Sequence, residues 1–197
     1  MEKIILQSRT KPVQKRRLFI AILLPRNIRL ELNGISKRLS SESPELKYEK
    51  EEKLHLTLKF LGWTDISPER ISEVLQRTVL NAAPFSLRFA NLGFFFSSNF
   101  ILFADLEKSE PLFNLVSKIE EEMKRLGFPK EKRPFKSHIT LARGKRKPIS
   151  FWREIAQKIS QKKFPLPESF SVSEIVLMES ILEREGSRYK ILANLLF

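Results

Sequence analysis

Cysteine is absent from this chain, and histidine occurs only twice, at His55 and His138. Without cysteine there is no disulfide, no thiolate metal site and no cysteine nucleophile, a composition that suits a reducing cytoplasm. Two histidines leave little material for a zinc site, so neither metal nor cofactor is expected. No apolar run reaches the roughly 18 to 20 residues of a membrane-spanning helix, and Met1 to Arg17 lacks the apolar stretch of a signal peptide. There is no G-x-x-x-x-G-K-[ST] loop and no dinucleotide fingerprint, so nucleoside-triphosphate chemistry has no support. The expectation is a monomeric, cytoplasmic protein with no membrane partner. With 42% hydrophobic residues and 16 Phe, the chain can fill the core of a single domain.

Acidic residues are also in short supply: 23 against 36 Lys and Arg, for a formal net charge of +13. That balance favours a polyanionic partner such as nucleic acid. Eight Lys or Arg lie between Lys130 and Lys147 against the single acid Glu131, and His138 sits inside that stretch. An isolated basic run reads as a solvated loop; around a candidate reactive histidine it reads as a phosphate attractor. Residues 1–16 are expected to form a basic, flexible leader.

The two histidines head two copies of one pattern, His55-Leu56-Thr57-Leu58 and His138-Ile139-Thr140-Leu141. In a strand, side chains alternate between faces, so each copy projects His and Thr together from one face and its aliphatic pair from the other. Imidazole titrates near neutral pH, with an unperturbed pKa of about 6.5, so two of them can serve as a base and an acid. Which is which is open at this point. Further along each strand, Lys59 and Arg143 are expected on the same face as phosphate contacts, and Phe19 is a candidate for stacking on a base.

The pattern is part of a longer repeat with an offset of 83 residues. Leu18-Phe19-Ile20-Ala21 falls on Ile101-Leu102-Phe103-Ala104. Amphipathic helical patterns follow at Asn27–Leu39 and at Pro111–Leu126, the second stopped by Gly127. After the histidine motifs come helices from Pro68 to about Asn81, capped by Ser67, and from Pro148 to Lys162. Strands at Phe85–Phe89 and Phe170–Ile175 close the halves, and Tyr189–Phe197 ends the chain. The fold expected is α+β and bilobal: residues 17–197 form one domain of two pseudo-twofold-related halves, about 17–98 and 99–197. Mostly antiparallel sheet with outer helices would then place His55 opposite His138 across a central cleft.

The two H-x-T-x motifs in Leu54–Gly62 and Arg133–Arg143, with Arg17-Leu18-Phe19-Ile20-Ala21 and the Phe170–Ser180 stretch, resemble the two-histidine phosphoesterase superfamily. The nearest resemblance within it is to the RNA 2′,3′-cyclic phosphodiesterase family, also called 2′-5′ RNA ligases, and it covers about Arg17 to Phe197. It implies metal-independent hydrolysis of RNA 2′,3′-cyclic phosphate ends to 2′-phosphomonoesters. In that scheme His55 is the proton donor, His138 the proton acceptor, and Thr57 and Thr140 are phosphate ligands. The family usually carries Pro just before the second histidine, where this chain has Ser137. The alternatives are 2′-5′ ligation or its reversal, and a non-catalytic RNA-binding module.

Overall fold

A computed structural model describes residues 15–96, 99–184 and 186–197. The leader read at 1–16 lies outside the described residues up to Gln14; Arg16 is already the first residue of strand β1 (Arg16–Leu23). Helix α1 (Arg26–Glu42) follows, then the two-residue strand β2 (Lys47–Tyr48), a single 3-10 turn (Glu51–Lys53) and β3 (His55–Thr64). Helix α2 (Pro68–Val79) and β4 (Phe85–Phe96) complete the first half. The second half runs β5 (Phe100–Leu106), α3 (Glu110–Arg125), β6 (His138–Gly144), α4 (Ile149–Ser160), β7 (Ser169–Val172) and β8 (Glu174–Glu183), with β9 (Gly186–Leu196) last.

Local sequence explains the helix boundaries. The Ser67 hydroxyl accepts from Arg70 N–H and the Ser109 hydroxyl from Leu112 N–H, each with a proline in the first turn behind it. Helix α3 stops where Gly127 adopts φ 97° and Phe128 N–H donates back to the Met123 carbonyl, a conformation that costs glycine little. Every helix buries residues spaced three or four apart, such as Ile28, Leu32, Ile35 and Leu39 of α1 or Leu112, Val116, Ile119 and Met123 of α3.

All strand pairings are antiparallel, and the sheet order is β7-β4-β5-β6-β3-β1-β8-β9, with β2 on β6. Around its centre this order is palindromic: β4-β5-β6 of one lobe meets β3-β1-β8 of the other. The two lobes are thus parts of one continuous sheet and do not coincide with the expected halves of the chain, since β4 joins the lobe of β5 and β6 and β8 the lobe of β1 and β3; the sheet is curled so that the four helices and the main core share one side. The lobes join where Leu56 pairs with Ile139. These two residues are 83 positions apart, so each is paired with its own repeat mate and the pseudo-twofold axis passes between them.

The strand register adjusts the repeat by one residue near its start. Ala21 lies beside Thr57 and Phe103 beside Thr140, so Ala21 corresponds to Phe103 rather than to Ala104. The connection from first strand to motif is one residue longer in the second half.

Both motif strands carry a bulge at the same place. Between Thr57 and Lys59, Leu58 is unmatched on β1; between Thr140 and Ala142, Leu141 is unmatched on β5. A bulge resets the alternation of faces. The expectation that Lys59 faces the cleft is therefore wrong: the bulge turns it toward the helices, where it is only 2% exposed. Its Nζ donates to Glu120 Oε1 at 2.7 Å and to the Pro129 carbonyl at 2.9 Å. Removing one partner of a buried pair strands the other charge and costs about 3 to 5 kcal/mol. Lys59→Ala should lower the free energy of urea unfolding by about 3 kcal/mol, and joint replacement with Glu120→Leu and Lys59→Met should restore most of it.

Candidate active site

The junction between lobes sets the reactive groups face to face. With Leu56 opposite Ile139 in antiparallel register, His55 stands across from Thr140 and Thr57 across from His138. Directly opposed side chains in such a pair have Cβ atoms about 4.5 to 5.5 Å apart. Across the lobe junction, each histidine is thus set toward the threonine of the other motif, while on its other side His55 pairs with Leu23 of β1 and His138 with Asp105 of β5. The two aliphatic residues between them, Leu56 and Ile139, are fully buried on the helix side.

Both imidazoles are held in the same way. Nδ1 of His55 lies 2.7 Å from the Lys53 carbonyl, and Nδ1 of His138 lies 2.8 Å from the Lys136 carbonyl. A carbonyl only accepts, so each Nδ1 carries the hydrogen and Nε2 is the nitrogen that exchanges protons. His55 Nε2 is 3.0 Å from the Thr57 hydroxyl, while His138 Nε2 has no hydrogen-bond partner among the described residues.

Aromatic walls fix the rings further. His55 is flanked by Phe19, with centroids 5.1 Å apart, and by Tyr189 edge-on at 5.3 Å. Phe19, Ala21, Val176 and Met178 form a small separate core on this side of the sheet. On the other lobe, His138 meets Phe95 at 5.0 Å and Phe103 at 5.4 Å, and those two rings stack at 4.3 Å. Phe103 can lie flat over β4 because its cross-strand partner is Gly93; a Cβ there would stand 2.4 Å from the ring.

Phe19 does not stand free to receive a base. It is 2% exposed, its ring already in contact with His55, Phe60 and Tyr189. β1 is a continuous apolar run because it is buried on both faces, and Phe19 belongs to the wall that holds His55. The open ring nearby is Phe60, 58% exposed, which the bulge at Leu58 brings to the cleft.

Arg143 reaches the cleft face by the equivalent route. Strict alternation from His138 would have turned Ala142 toward the cleft; the bulge at Leu141 turns Ala142 inward and Arg143 outward, making Arg143 the repeat mate of Phe60. Its Nε donates to Glu49 Oε1 at 3.0 Å, and its terminal nitrogens have no hydrogen-bond partner among the described residues. β2 pairs with β6 at Arg143 and Ala142 and so delivers Glu49; two residues of strand give no periodic signal, and the sequence reading missed this element. It also missed Tyr189, Phe95 and Phe103 as neighbours of the histidines. Ser137, in the place of the usual proline, is buried, and its hydroxyl donates to the Leu106 carbonyl at 3.5 Å.

Two hollows flank the histidines. One, of about 500 Å³, is bounded by Phe19, Tyr189, Phe60 and Arg143 on the His55 side. The other, of about 540 Å³, opens beside Thr57 and His138.

Burial pushes both imidazole pKa values below the usual 6.5, because it disfavours the charged form. The carbonyl bonds at Nδ1 oppose this, and the Arg143 cation adds to it in both cases. His138 also lowers His55, as expected of two groups close enough to repel when both are charged. Among the described residues no group of three or more His, Cys, Asp or Glu side chains is gathered as a metal site, and no helix is long and apolar enough to cross a membrane.

The model of the 2′-5′ RNA ligase superfamily matches residues 24–183. The chain belongs to that superfamily. A relative from Archaeoglobus fulgidus named RNA 2′,3′-cyclic phosphodiesterase is 32% identical over 88% of this chain and 96% of its own length. One of the same name from Methanocaldococcus jannaschii is 29% identical over 89% and 98%. Among solved structures, a phosphoesterase superposes with a TM-score of 0.72 at 26% identity, covering 93% of this chain and 99% of its own. A Thermus thermophilus protein, TT0787, superposes with 0.69 at 26%, covering 91% and 97%.

By nitrogen-15 NMR, both histidines should appear as the Nδ1–H tautomer and titrate below pH 6.5. Phe19→Ala, which admits water beside His55, should move that residue's titration back toward 6.5 and leave His138 in place.

Proposed function

We propose that this superfamily member hydrolyses RNA 2′,3′-cyclic phosphate ends to 2′-phosphomonoesters, with His55 and His138 as an acid and base pair and no metal ion. The observation that carries the reading is the pair of anchored imidazoles: each Nδ1 is tied to a carbonyl two residues back, leaving both Nε2 atoms for one cleft. A module that only bound RNA would have no use for two half-buried, oriented proton carriers. The names of the relatives from A. fulgidus and M. jannaschii support the same substrate class.

The reaction needs three things of the protein: an in-line water, a protonated leaving oxygen and a counter to charge on the non-bridging oxygens. His138, neutral, takes a proton from the attacking water at Nε2. As the new P–O bond forms, the P–O3′ bond breaks, and His55, charged, gives its Nε2 proton to the departing 3′ oxygen. The products are a 2′-phosphomonoester and a 3′-hydroxyl, and the two histidines end with their protonation states exchanged. Thr57 and Thr140 donate hydroxyl hydrogens to the phosphate, and Arg143 offers its unengaged guanidinium nitrogens. The site itself is nearly symmetric, so the assignment of donor to His55 and acceptor to His138 follows the family likeness. The basic stretch Lys130–Lys147 draws the polyanion to this face.

Losing a general acid or base typically costs about a hundredfold to ten-thousandfold in rate. His55→Ala and His138→Ala should each fall by that factor on an oligonucleotide ending in a 2′,3′-cyclic phosphate, with unchanged circular dichroism, while EDTA leaves the wild-type rate intact. An unchanged rate in either variant would refute the scheme.

The dependence of kcat/KM on pH should be a bell, since one imidazole must be charged and the other neutral. Both pKa values are depressed, so the bell's maximum falls on the acid side of pH 6.5. Because the Arg143 cation lowers both, Arg143→Gln should reduce the rate and move the maximum upward in pH.

A further inference from the structure

Two large rings stand exposed on the cleft face of β3: Phe60, 58% exposed, and Trp63, 60% exposed. Strict alternation would put residues three apart on opposite faces. Leu61, however, is unmatched on β1, and Gly62 takes φ 72°, so a second bulge on this strand returns Trp63 to the side of Phe60. Trp63 lies directly across from Arg17 of β1. Arg17 Nη1 donates to the Ser180 hydroxyl at 3.2 Å, and Ser180 pairs with Tyr189, the ring beside His55. The tryptophan thus belongs to the same surface as the proton carriers.

Single exposed apolar side chains are ordinary on a protein surface; the charge around these two rings is not. The hollow of about 500 Å³ that Phe60 and Arg17 border is lined by five cations and two carboxylates, and one of those carboxylates, Glu49, already accepts from Arg143. Arg17 itself makes no salt bridge among the described residues. The hollow on the His138 side is close to balanced, with four cations and three carboxylates. Exposed rings beside a surplus of cations suit a single-stranded nucleic acid, its bases on the rings and its phosphates on the charges.

A 2′,3′-cyclic phosphate is carried on the terminal ribose alone, and the strand continues from the 5′ side of that ribose. With the reacting phosphate at the histidines, the substrate leaves the site by one route, and the surplus of cations marks the route past Phe60 and Arg17. Trp63 is six residues beyond Thr57, no more than about 20 Å along the strand at about 3.3 Å per residue, and Phe60 lies between them. We infer that Trp63 stacks on a base upstream of the terminal nucleotide, with Arg17 at the phosphodiester that leads to it. The assignment deepens the proposed hydrolysis of RNA 2′,3′-cyclic ends, on which it rests, by making Trp63 a determinant of substrate length.

The chain has two tryptophans, and the other, Trp152, is 4% exposed and stacked on Phe100, so a change of tryptophan emission on adding RNA reports Trp63. A trinucleotide ending in a 2′-phosphate, the product form, should quench the emission, a nucleoside 2′-phosphate should not, and Trp63→Phe should abolish the response. In the hydrolysis assay, the wild type should show a higher kcat/KM for a trinucleotide ending in a 2′,3′-cyclic phosphate than for the nucleoside 2′,3′-cyclic phosphate. Trp63→Ala should lose about tenfold on the trinucleotide, the scale of one base stack, and nothing on the mononucleotide, whereas Trp63→Phe keeps most of the preference. Three results would overturn the inference: an emission indifferent to the trinucleotide, equal quenching by the mononucleotide, or equal losses of Trp63→Ala on both substrates. A wild type that hydrolyses neither substrate would instead refute the proposed activity, and the titration would still decide on Trp63, quenching by the trinucleotide alone upholding its contact with RNA and an unchanged emission overturning it.

Discussion

The site depends on one cross-strand pair, Leu56 against Ile139. Because these residues are repeat mates, their pairing makes the lobe interface symmetric, and symmetry puts whatever flanks them into opposition. A slip of either strand by one residue would send that strand's histidine to the helix side and its aliphatic residue into the cleft. The buried Leu56 and Ile139 side chains resist that slip, since it would take them out of the main core and bury imidazoles in their place. Core packing and the juxtaposition of the histidines are thus one constraint.

The second determinant is the pair of matched bulges at Leu58 and Leu141. Each turns the following residue inward and the next one outward. In the first lobe this buries Lys59 as a clamp on α3 and on the loop at Pro129, and exposes Phe60. In the second it buries Ala142 and exposes Arg143. Two strands with the same geometry therefore present different chemistry to the cleft, an aromatic surface on one side and a guanidinium on the other. The same backbone device supplies rigidity in one lobe and charge in the other.

Much of this is legible in the sequence. The repeat, the helices with their Ser67 and Gly127 boundaries, and the shared face of each His-Thr pair follow from spacing and alternation. Alternation failed at Lys59 because nothing in the sequence marks Leu58 as unmatched on β1. It failed at Phe19 because a strand buried on both faces has no outward position to offer; the unbroken apolar run from Leu18 to Leu24 was the available signal. Tyr189, Phe95 and Phe103 lie far from the motifs in the chain and reach the histidines only through the sheet order. β2 is too short to carry a pattern, so Glu49 beside Arg143 was invisible. None of these corrections moves His55, Thr57, His138 or Thr140 from the cleft.

The proposed proton transfer by the two histidines shows most directly in where the water's oxygen goes. An oligonucleotide ending in a 2′,3′-cyclic phosphate, incubated with the protein in oxygen-18 water and analysed by mass spectrometry and phosphorus NMR, should give a 2′-phosphomonoester carrying one heavy oxygen and a free 3′-hydroxyl. A 3′-phosphomonoester, or an untouched cyclic end, would contradict the proposed opening of the P–O3′ bond by the histidine pair.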